Sequence, residues 1–300
     1  MSVSDNQAPH RKDLGREDLI AAFLTLSGAP AMKPARFPFA ERVAAAAAAG
    51  YAAIGLDSAD YAASREAGHS DAEMRKVLDD HGIRVAELEF VADWLDDQHQ
   101  PPRARKIEDR LYAAADAFGA RHLNAGTFIS PGALPDLEIA AERFAALCDR
   151  ADAHGLQVAL EFLPWTAIPD AATAWGIARL ADRANGGVLV DSWHYFRGAA
   201  DPGHLLEIPP HRIVVIQFDD ADPYDGGDLL EDTMRRRLPG EGVFDLVGFI
   251  RLLDEMGVTA PLSVEIISPE QRARPLIEAA RMSHDTTRAV LAEARRTESR

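Results

Sequence analysis

The chain has 300 residues, of which 47% are apolar, and a formal net charge of −16. That length and composition suffice for a large core in one or two domains. The acidic charge argues against a nucleic-acid partner and against binding to an anionic membrane. No apolar stretch reaches the about 20 residues of a membrane span, and residues 1–17 lack the apolar core of a signal peptide. We therefore predict a cytoplasmic protein whose residues 1–17 form a flexible tail; Cys148 is the single cysteine, which excludes a disulfide framework.

Apolar runs alternate with helix-forming segments along the rest of the chain. The first predicted helix, for example, is alanine-rich and ends at Gly50, a residue type that favours helix ends. The predicted strands are 20–28, 51–57, 83–91, 121–127, 156–162, 186–191, 212–218 and 261–267, and the predicted helices are 39–49, 71–81, 107–118, 136–154, 171–184, 244–256 and 275–294. Eight strands alternating with helices predict a single-domain (β/α)8 TIM barrel over residues 18–298. The alternative is a doubly wound open sheet, which usually has a glycine-rich turn after its first strand, and LSGAPAMKPARF is a poor example of one.

Four acidic or amide side chains end apolar runs in the second half of the chain. They are Glu161 in VALEFLPW, Asp191 in GVLVDSWH, Gln217 in IVVIQFDD and Glu265 in PLSVEIIS. Each acid alone is more often a strand-end residue in a salt bridge, but a buried carboxylate is costly unless something pairs with it. In a barrel, all four would lie on the face that holds the active site. We therefore predict a site for one divalent cation, Mn2+ or Mg2+ rather than Zn2+, because all four ligands offer oxygen.

Glu161 and Glu265 lie on different predicted strands and are our candidates for the acid and the base. The cation would polarise the carbonyl group of a hydroxy-ketone and hold the enediolate while the carboxylates move the proton. The expected substrate is a small polyhydroxylated carbonyl compound. The connections 192–211 and 219–242 are long and lie on the side of a barrel where loops usually carry the site.

The motifs E-x-x-P-W, D-S-W-H, Q-F-D-D and S-V-E resemble those of the xylose isomerase-like TIM barrel superfamily. The resemblance covers roughly residues 20–295 and is closest to the sugar phosphate isomerase/epimerase branch. It implies that the four candidates above bind the metal and that the two glutamates exchange protons with the substrate. It also implies that His194 contacts a substrate oxygen and that an arginine of RRRLPGEG faces the substrate. Arg237 is our choice, with Arg235 next, and we expect Trp165 to form a wall of the pocket.

The branch includes ketose 3-epimerases, hydroxypyruvate isomerase, inosose dehydratase and 3-dehydroshikimate dehydratase. We predict a metal-dependent isomerase or epimerase of a hydroxy-ketone sugar or sugar derivative; the alternative is a dehydratase, a lyase acting on a cyclic keto-polyol such as an inosose or 3-dehydroshikimate. Gln217 stands where epimerases commonly have histidine. The chain also lacks the histidine two positions after Glu161 that one group of 3-dehydroshikimate dehydratases has. An endonuclease IV-like protein and a catalytically silent barrel are further alternatives. Barrels often self-associate, so a homodimer or homotetramer is expected.

Overall fold

Eight parallel strands close into a barrel in the computed structural model, which describes residues 14–31, 33–95 and 102–296. Each strand pairs with the next along the chain, and the eighth pairs with the first. The strands are β1 (Leu19–Ala21), β2 (Ala53–Asp57), β3 (Arg84–Val91), β4 (His122–Ala125), β5 (Gln157–Glu161), β6 (Gly186–Asp191), β7 (Ile213–Phe218) and β8 (Leu262–Val264). The predicted (β/α)8 barrel is confirmed, and the open-sheet alternative is wrong.

Helices follow the strands around the outside of the barrel, and short ones lie in the connections. They are α1 (Phe23–Ser27), α2 (Phe39–Ala49), α3 (Ser58–Glu66), α4 (Asp71–His81), α5 (Pro102–Phe118), α6 (Leu137–Asp152), α7 (Ala171–Ala181), α8 (Ser192–Arg197), α9 (Pro202–Leu206), α10 (Leu229–Asp232), α11 (Leu246–Glu255), α12 (Pro269–Ala273) and α13 (Leu276–Ala294). α4 begins and ends at the predicted residues because capping signals lie at both of its ends. Ser70 and Glu73 form a capping box at its start, and Gly82 adopts the left-handed conformation at its end.

The first strand is shorter than its apolar run predicts. β1 ends at Ala21, and the next residues form α1, which ends at Gly28 with a φ of 63°. Apolar runs buried on every side do not distinguish a strand from a short helix. In α1, Thr25 Oγ1 donates a hydrogen bond to the Val264 carbonyl at 2.7 Å and accepts one from Ile266 N at 2.9 Å. These bonds hold α1 against the end of β8.

The interior of the barrel is filled at the amino-terminal ends of the strands by apolar side chains. Leu14 belongs to this cluster and is only 6% exposed. The folded part of the chain therefore begins before residue 18, within the segment predicted to be a flexible tail, of which residues 1–13 lie outside the described residues. None of the helices in the described residues is long and apolar enough to cross a membrane.

Candidate active site and metal centre

The four predicted metal ligands lie at the carboxyl ends of four consecutive strands. Glu161 and Asp191 are the last residues of β5 and β6, Gln217 is one residue from the end of β7, and Glu265 directly follows β8. All four side chains are buried, and Asp191 is in register with Gln217. The barrel thus brings four oxygen-bearing side chains to the face where such enzymes carry their active sites.

The two carboxylate oxygens of Asp191 make different contacts. Oδ1 accepts hydrogen bonds from the backbone N–H groups of Trp193 at 2.7 Å and His194 at 3.1 Å, which makes Asp191 the N-cap of α8. Oδ2 lies 2.8 Å from Nη1 of Arg236. The D-S-W-H motif is therefore a helix start that leaves one carboxylate oxygen for the site.

His194 lies against Glu161 and is held there by aromatic rings. Its Nε2 is 3.1 Å from Glu161 Oε1, and burial lowers the pKa of its imidazole to about 4. Trp165 packs edge-on against it with ring centroids 5.3 Å apart, and Trp193 does so at the same distance. The structure thus places both predicted substrate contacts, His194 and Trp165, beside a predicted ligand.

The arginine in the site is Arg236, whereas the sequence analysis chose its neighbour. Arg236 is 2% exposed, and its Nη1 lies 2.8 Å from Glu265 Oε2 as well as contacting Asp191 and, more closely, Asp219. Arg237 points outward and pairs with acidic residues of the surface, and Arg235 is exposed. Burial opposes the charge of Arg236, but these three carboxylates and that of Glu161 outweigh it and raise the pKa of the guanidinium.

Consecutive aspartates after β7 hold the connection that carries Arg236. Asp219 accepts a hydrogen bond from Ser192 Oγ at 2.9 Å and contacts Arg236. Asp220 accepts hydrogen bonds at 2.9–3.0 Å from four backbone N–H groups, those of Ala221, Gly240, Gly242 and Phe244. The first aspartate therefore belongs to the charged cluster, and the second folds the loop over it.

A second pair of acids was not recognised as part of this region. Glu87 and Glu89 are two residues apart on β3 and are 0% and 7% exposed. Glu87 accepts from Ser263 Oγ at 3.0 Å and from His122 Nε2 at 3.3 Å. Arg121 donates to the other nitrogen of His122, which leaves the proton of the ring on Nε2. The signal in the sequence was A-E-L-E-F, since residues at i and i+2 of a strand share a face.

The surroundings of Glu87 and Glu89 shift the pKa values of these two residues in opposite directions. Burial opposes the ionisation of Glu87, but hydrogen bonds from His122 and Glu89 overcome it, and the pKa of Glu87 falls. Burial and the charges of Glu87 and Glu265 raise the pKa of Glu89 well above its usual value. The surroundings therefore favour the protonated form of Glu89 and the ionised form of Glu87.

The charges of the whole cluster do not balance among the described side chains. The region contains one buried guanidinium, that of Arg236, and six buried carboxyl groups; the six are Glu87, Glu89, Glu161, Asp191, Asp219 and Glu265. Such groups stay ionised only if cations or hydrogen bonds compensate them. Gln217 Oε1 is also buried and accepts no hydrogen bond from the described residues, which costs about 1–3 kcal/mol for an orphaned acceptor.

A divalent cation fits both observations. Ligand atoms of Glu161, Asp191 and His194 lie within 4.8 Å of one another, and Gln217 and Glu265 lie at the carboxyl ends of the next two strands. A cation here would supply positive charge and a partner for the amide oxygen. The residues present therefore fit the predicted metal site, with His194 Nε2 as a further possible ligand that the sequence analysis assigned only to the substrate.

The two glutamates proposed as acid and base both have pKa values raised above the usual value of a glutamate. Burial, and then the charge of Asp191, raise the pKa of Glu161 well above its usual value. Burial likewise raises the pKa of Glu265 to about 8, although Arg236 opposes the shift. Carboxyl groups of this kind can take up or release a proton where an exposed glutamate would stay ionised.

Relatives of known function share parts of this chain. A 3-dehydroshikimate dehydratase of Pseudomonas aeruginosa is 28% identical over 242 residues, which cover 78% of this chain and 37% of the relative. An inosose isomerase of Bacillus subtilis is 29% identical over 143 residues, which cover 47% of this chain and 51% of the relative. The chain therefore matches only about a third to a half of the length of these curated relatives.

Solved structures share the whole fold. The crystal structure of the IOLI protein with a bound zinc atom superposes with a TM-score of 0.80 at 20% identity and covers 93% of this chain and 100% of that one. D-psicose 3-epimerase in the presence of D-fructose gives a TM-score of 0.66 at 13% identity, with 91% and 97% covered. At these identities the likeness establishes the fold alone. Residues 43–286 match the family described as xylose isomerase-like TIM barrel, and the chain is a member of that family.

Proposed function

We propose that this protein is a divalent-metal-dependent isomerase or epimerase of a small hydroxy-ketone sugar or sugar derivative. The observation that carries the proposal is the pair Glu161 and Glu265. Both are buried and both have raised pKa values. They lie at the carboxyl ends of β5 and β8, the strands on either side of the two that carry Asp191 and Gln217. Two such carboxyl groups are what proton transfer on opposite faces of one carbon requires.

The roles of the residues follow from their contacts. A cation held by Glu161, Asp191, Gln217 and Glu265 would act as a Lewis acid on the substrate carbonyl. One glutamate removes the proton from the carbon beside that carbonyl, and the other returns a proton. His194 Nε2, 3.1 Å from Glu161 Oε1, orients that carboxyl group and can share its proton. Arg236 holds Asp191 and Glu265 in place through Nη1, and Trp165 and Trp193 shield the histidine from water.

The four-oxygen set favours Mn2+ or Mg2+. A site that used His194 Nε2 in place of Gln217 would favour Zn2+, the metal bound in the IOLI structure. Metal content after purification without chelators, followed by competition among the three ions, distinguishes these sets.

Dehydration is the second candidate, supported by the dehydratase relatives that match 78% of this chain. It begins with the same removal of a proton beside a carbonyl. It then differs because a hydroxyl group on the next carbon leaves as water. Glu161 and Glu265 would serve as base and acid in this reaction as well.

Proton NMR in D2O with Mg2+ tests both candidates on a panel of ketoses, inososes and 3-dehydroshikimate. We expect deuterium to enter the carbon beside the carbonyl with all oxygens retained, and the exchange to disappear in Glu265→Gln. A new vinylic signal with loss of a hydroxyl group would identify a dehydratase. The proposal fails if a protein shown to bind metal exchanges no proton on any member of the panel, or if Glu265→Gln exchanges at the normal rate. Light scattering tests the expected homodimer or homotetramer.

A further inference from the structure

A hydrogen bond of Glu87 crosses the interior of the barrel. Glu87 lies on β3, and its Oε1 accepts from Ser263 Oγ of β8 at 3.0 Å. Strands β1 and β2 lie between these two strands in the barrel, and both side chains are 0% exposed. Because Ser263 is two residues before Glu265, this bond holds the end of the strand that carries one of the proposed proton-transfer residues.

Glu89 makes a second long-range contact, with the first helix. Phe23 N, at the start of α1, donates to Glu89 Oε1 at 3.3 Å. The N-cap residue of α1 is Ala22, whose side chain makes no capping hydrogen bond. The first N–H groups of a helix have no partner within the helix. Glu89 therefore supplies, from 66 residues further along the chain, the acceptor that a capping side chain ordinarily provides.

Helix α1 in turn holds the backbone on both sides of Glu265. Thr25 Oγ1 donates to the Val264 carbonyl and accepts from Ile266 N, as described above. β8 ends at Val264. These two bonds, together with one from Glu265 N to the Phe218 carbonyl at 3.3 Å, therefore set the position of the backbone at Glu265.

The contacts form a closed ring because Glu89 also donates a hydrogen bond to Glu87. The ring runs from Glu87 through the end of β8 to Thr25, and from α1 through Glu89 back to Glu87. Gly55 on β2 leaves the space for it. A Cβ atom on Gly55 would lie 2.8 Å from Phe23 N, 2.9 Å from Glu89 Oε1 and 3.1 Å from Glu87 Oε1. Any side chain at residue 55 would therefore displace the ring.

We propose that Glu87 and Glu89 are positioning residues for Glu265, which fix the backbone on both sides of it without touching the substrate. This inference rests on the proposed function, in which Glu265 moves a proton. A misplacement of a reacting group by about 1 Å can cost about 100-fold in rate. Loss of the ring should therefore lower kcat and leave KM nearly unchanged, because the interaction that is lost acts in the transition state.

The variants Glu89→Leu and Glu89→Gln test the proposal in the proton NMR assay. Glutamine keeps an oxygen that can accept from Phe23 N and an N–H group that can donate to Glu87, whereas leucine keeps neither. We expect kcat of Glu89→Leu to fall by about 100-fold with KM nearly unchanged, and Glu89→Gln to retain most of the wild-type kcat. A wild-type kcat in folded Glu89→Leu would overturn the proposal. Equal losses in the two variants would also overturn it, since they would show that the carboxyl group itself is needed.

Glu108→Leu is the matched control, since it also removes a buried glutamate. Glu108 is 4% exposed and pairs with Tyr112 and Arg150 between α5 and α6, outside the barrel. Its loss should lower the free energy of unfolding and leave kcat unchanged. A fall in kcat equal to that of Glu89→Leu would overturn the proposal, because lost stability would then explain both.

If Glu89→Leu does not fold, Ser263→Ala removes only the bond from β8 to Glu87. This variant should still lower kcat with KM nearly unchanged, and an unchanged kcat would overturn the proposal.

If the wild-type protein exchanges no proton on any member of the panel, the proposed function fails, and amide hydrogen exchange decides whether the pair positions Glu265. NMR should show the Ile266 amide exchanging faster in Glu89→Leu than in Glu89→Gln, although its own partner, Thr25, is intact in both. Equal exchange rates in the two variants would overturn the inference.

Discussion

Replacing Arg236 by methionine removes the guanidinium that contacts Asp191, Asp219 and Glu265 and leaves an unbranched apolar side chain in its place. Arg236 is 2% exposed, so the three carboxylates would lose their partner in a site with little water. Removal of one partner from a buried ion pair costs about 3–5 kcal/mol because the remaining charge stays buried. We expect the free energy of unfolding of the metal-free variant to fall by about that amount at neutral pH.

Arg237→Met is the matched control, since it is the same substitution one residue along. The side chain of Arg237 is 33% exposed and its two partners are more exposed still, so its loss should cost at most about 1 kcal/mol. Urea unfolding followed by circular dichroism measures both variants. Equal losses for the two would refute the assignment of Arg236 as the buried cation of the site.

Two further measurements test the role of Arg236 even if the metal-free Arg236→Met variant does not fold. Asp219→Asn added to it removes one of the stranded charges and should restore part of the loss. Divalent metal should also restore stability, by about 2.7 kcal/mol at 100 times its dissociation constant. The loss should shrink as the pH falls, because carboxyl groups whose pKa is raised in the folded protein stabilise it when protonated and lose that contribution as the pH rises.

Metal affinity should rise with pH up to about 8, since a cation must displace the proton that burial keeps on Glu265. Calorimetric titration with the metal on either side of that pH measures the change. An affinity that does not depend on pH would contradict the assignment of Glu265 as a metal ligand. Gln217→Leu should lower metal affinity by more than about tenfold, whereas Gln217→His keeps a ligand atom; equal affinities for the two variants would show that this position does not bind the metal. Asp220→Ala should lower the free energy of unfolding by about 3 kcal/mol or more, because four backbone N–H groups lose their acceptor. Urea unfolding checks this, and a loss below about 1 kcal/mol would mean that the loop finds other partners.

Local signals in the sequence were enough for the order of the elements and for several of their ends. Alanine-rich and amphipathic segments predict helices, and α2 and α4 end where glycines adopt the left-handed conformation. The ligand candidates followed from the same reasoning. A carboxylate at the end of a buried parallel strand has a known position in a barrel, whichever loop follows it.

The direction of the arginines in the connection after β7 was not available from local signals. Arg236 N donates to the Ile267 carbonyl at 3.0 Å, whereas Arg237 N donates to the Asp220 carbonyl at 2.7 Å. Arg237 and Asp220 form an antiparallel bridge, and successive residues in such extended backbone point to opposite sides. The choice between the two arginines therefore depends on contacts with residues that are distant in sequence.

The sequence by itself predicted the barrel, which the structure confirms, and proposed four candidate metal ligands at the ends of its strands, because strand periodicity and strand ends are local properties. Only the tertiary structure showed that Arg236, rather than Arg237, is buried beside the candidate site, that Glu87 and Glu89 face the barrel interior and that Leu14 is part of the core. Each of these depends on which distant side chains meet it inside the closed barrel. Packing inside the closed barrel decides which side chains are buried and which charges pair. A short apolar run or an isolated acidic residue in the sequence does not predict these contacts.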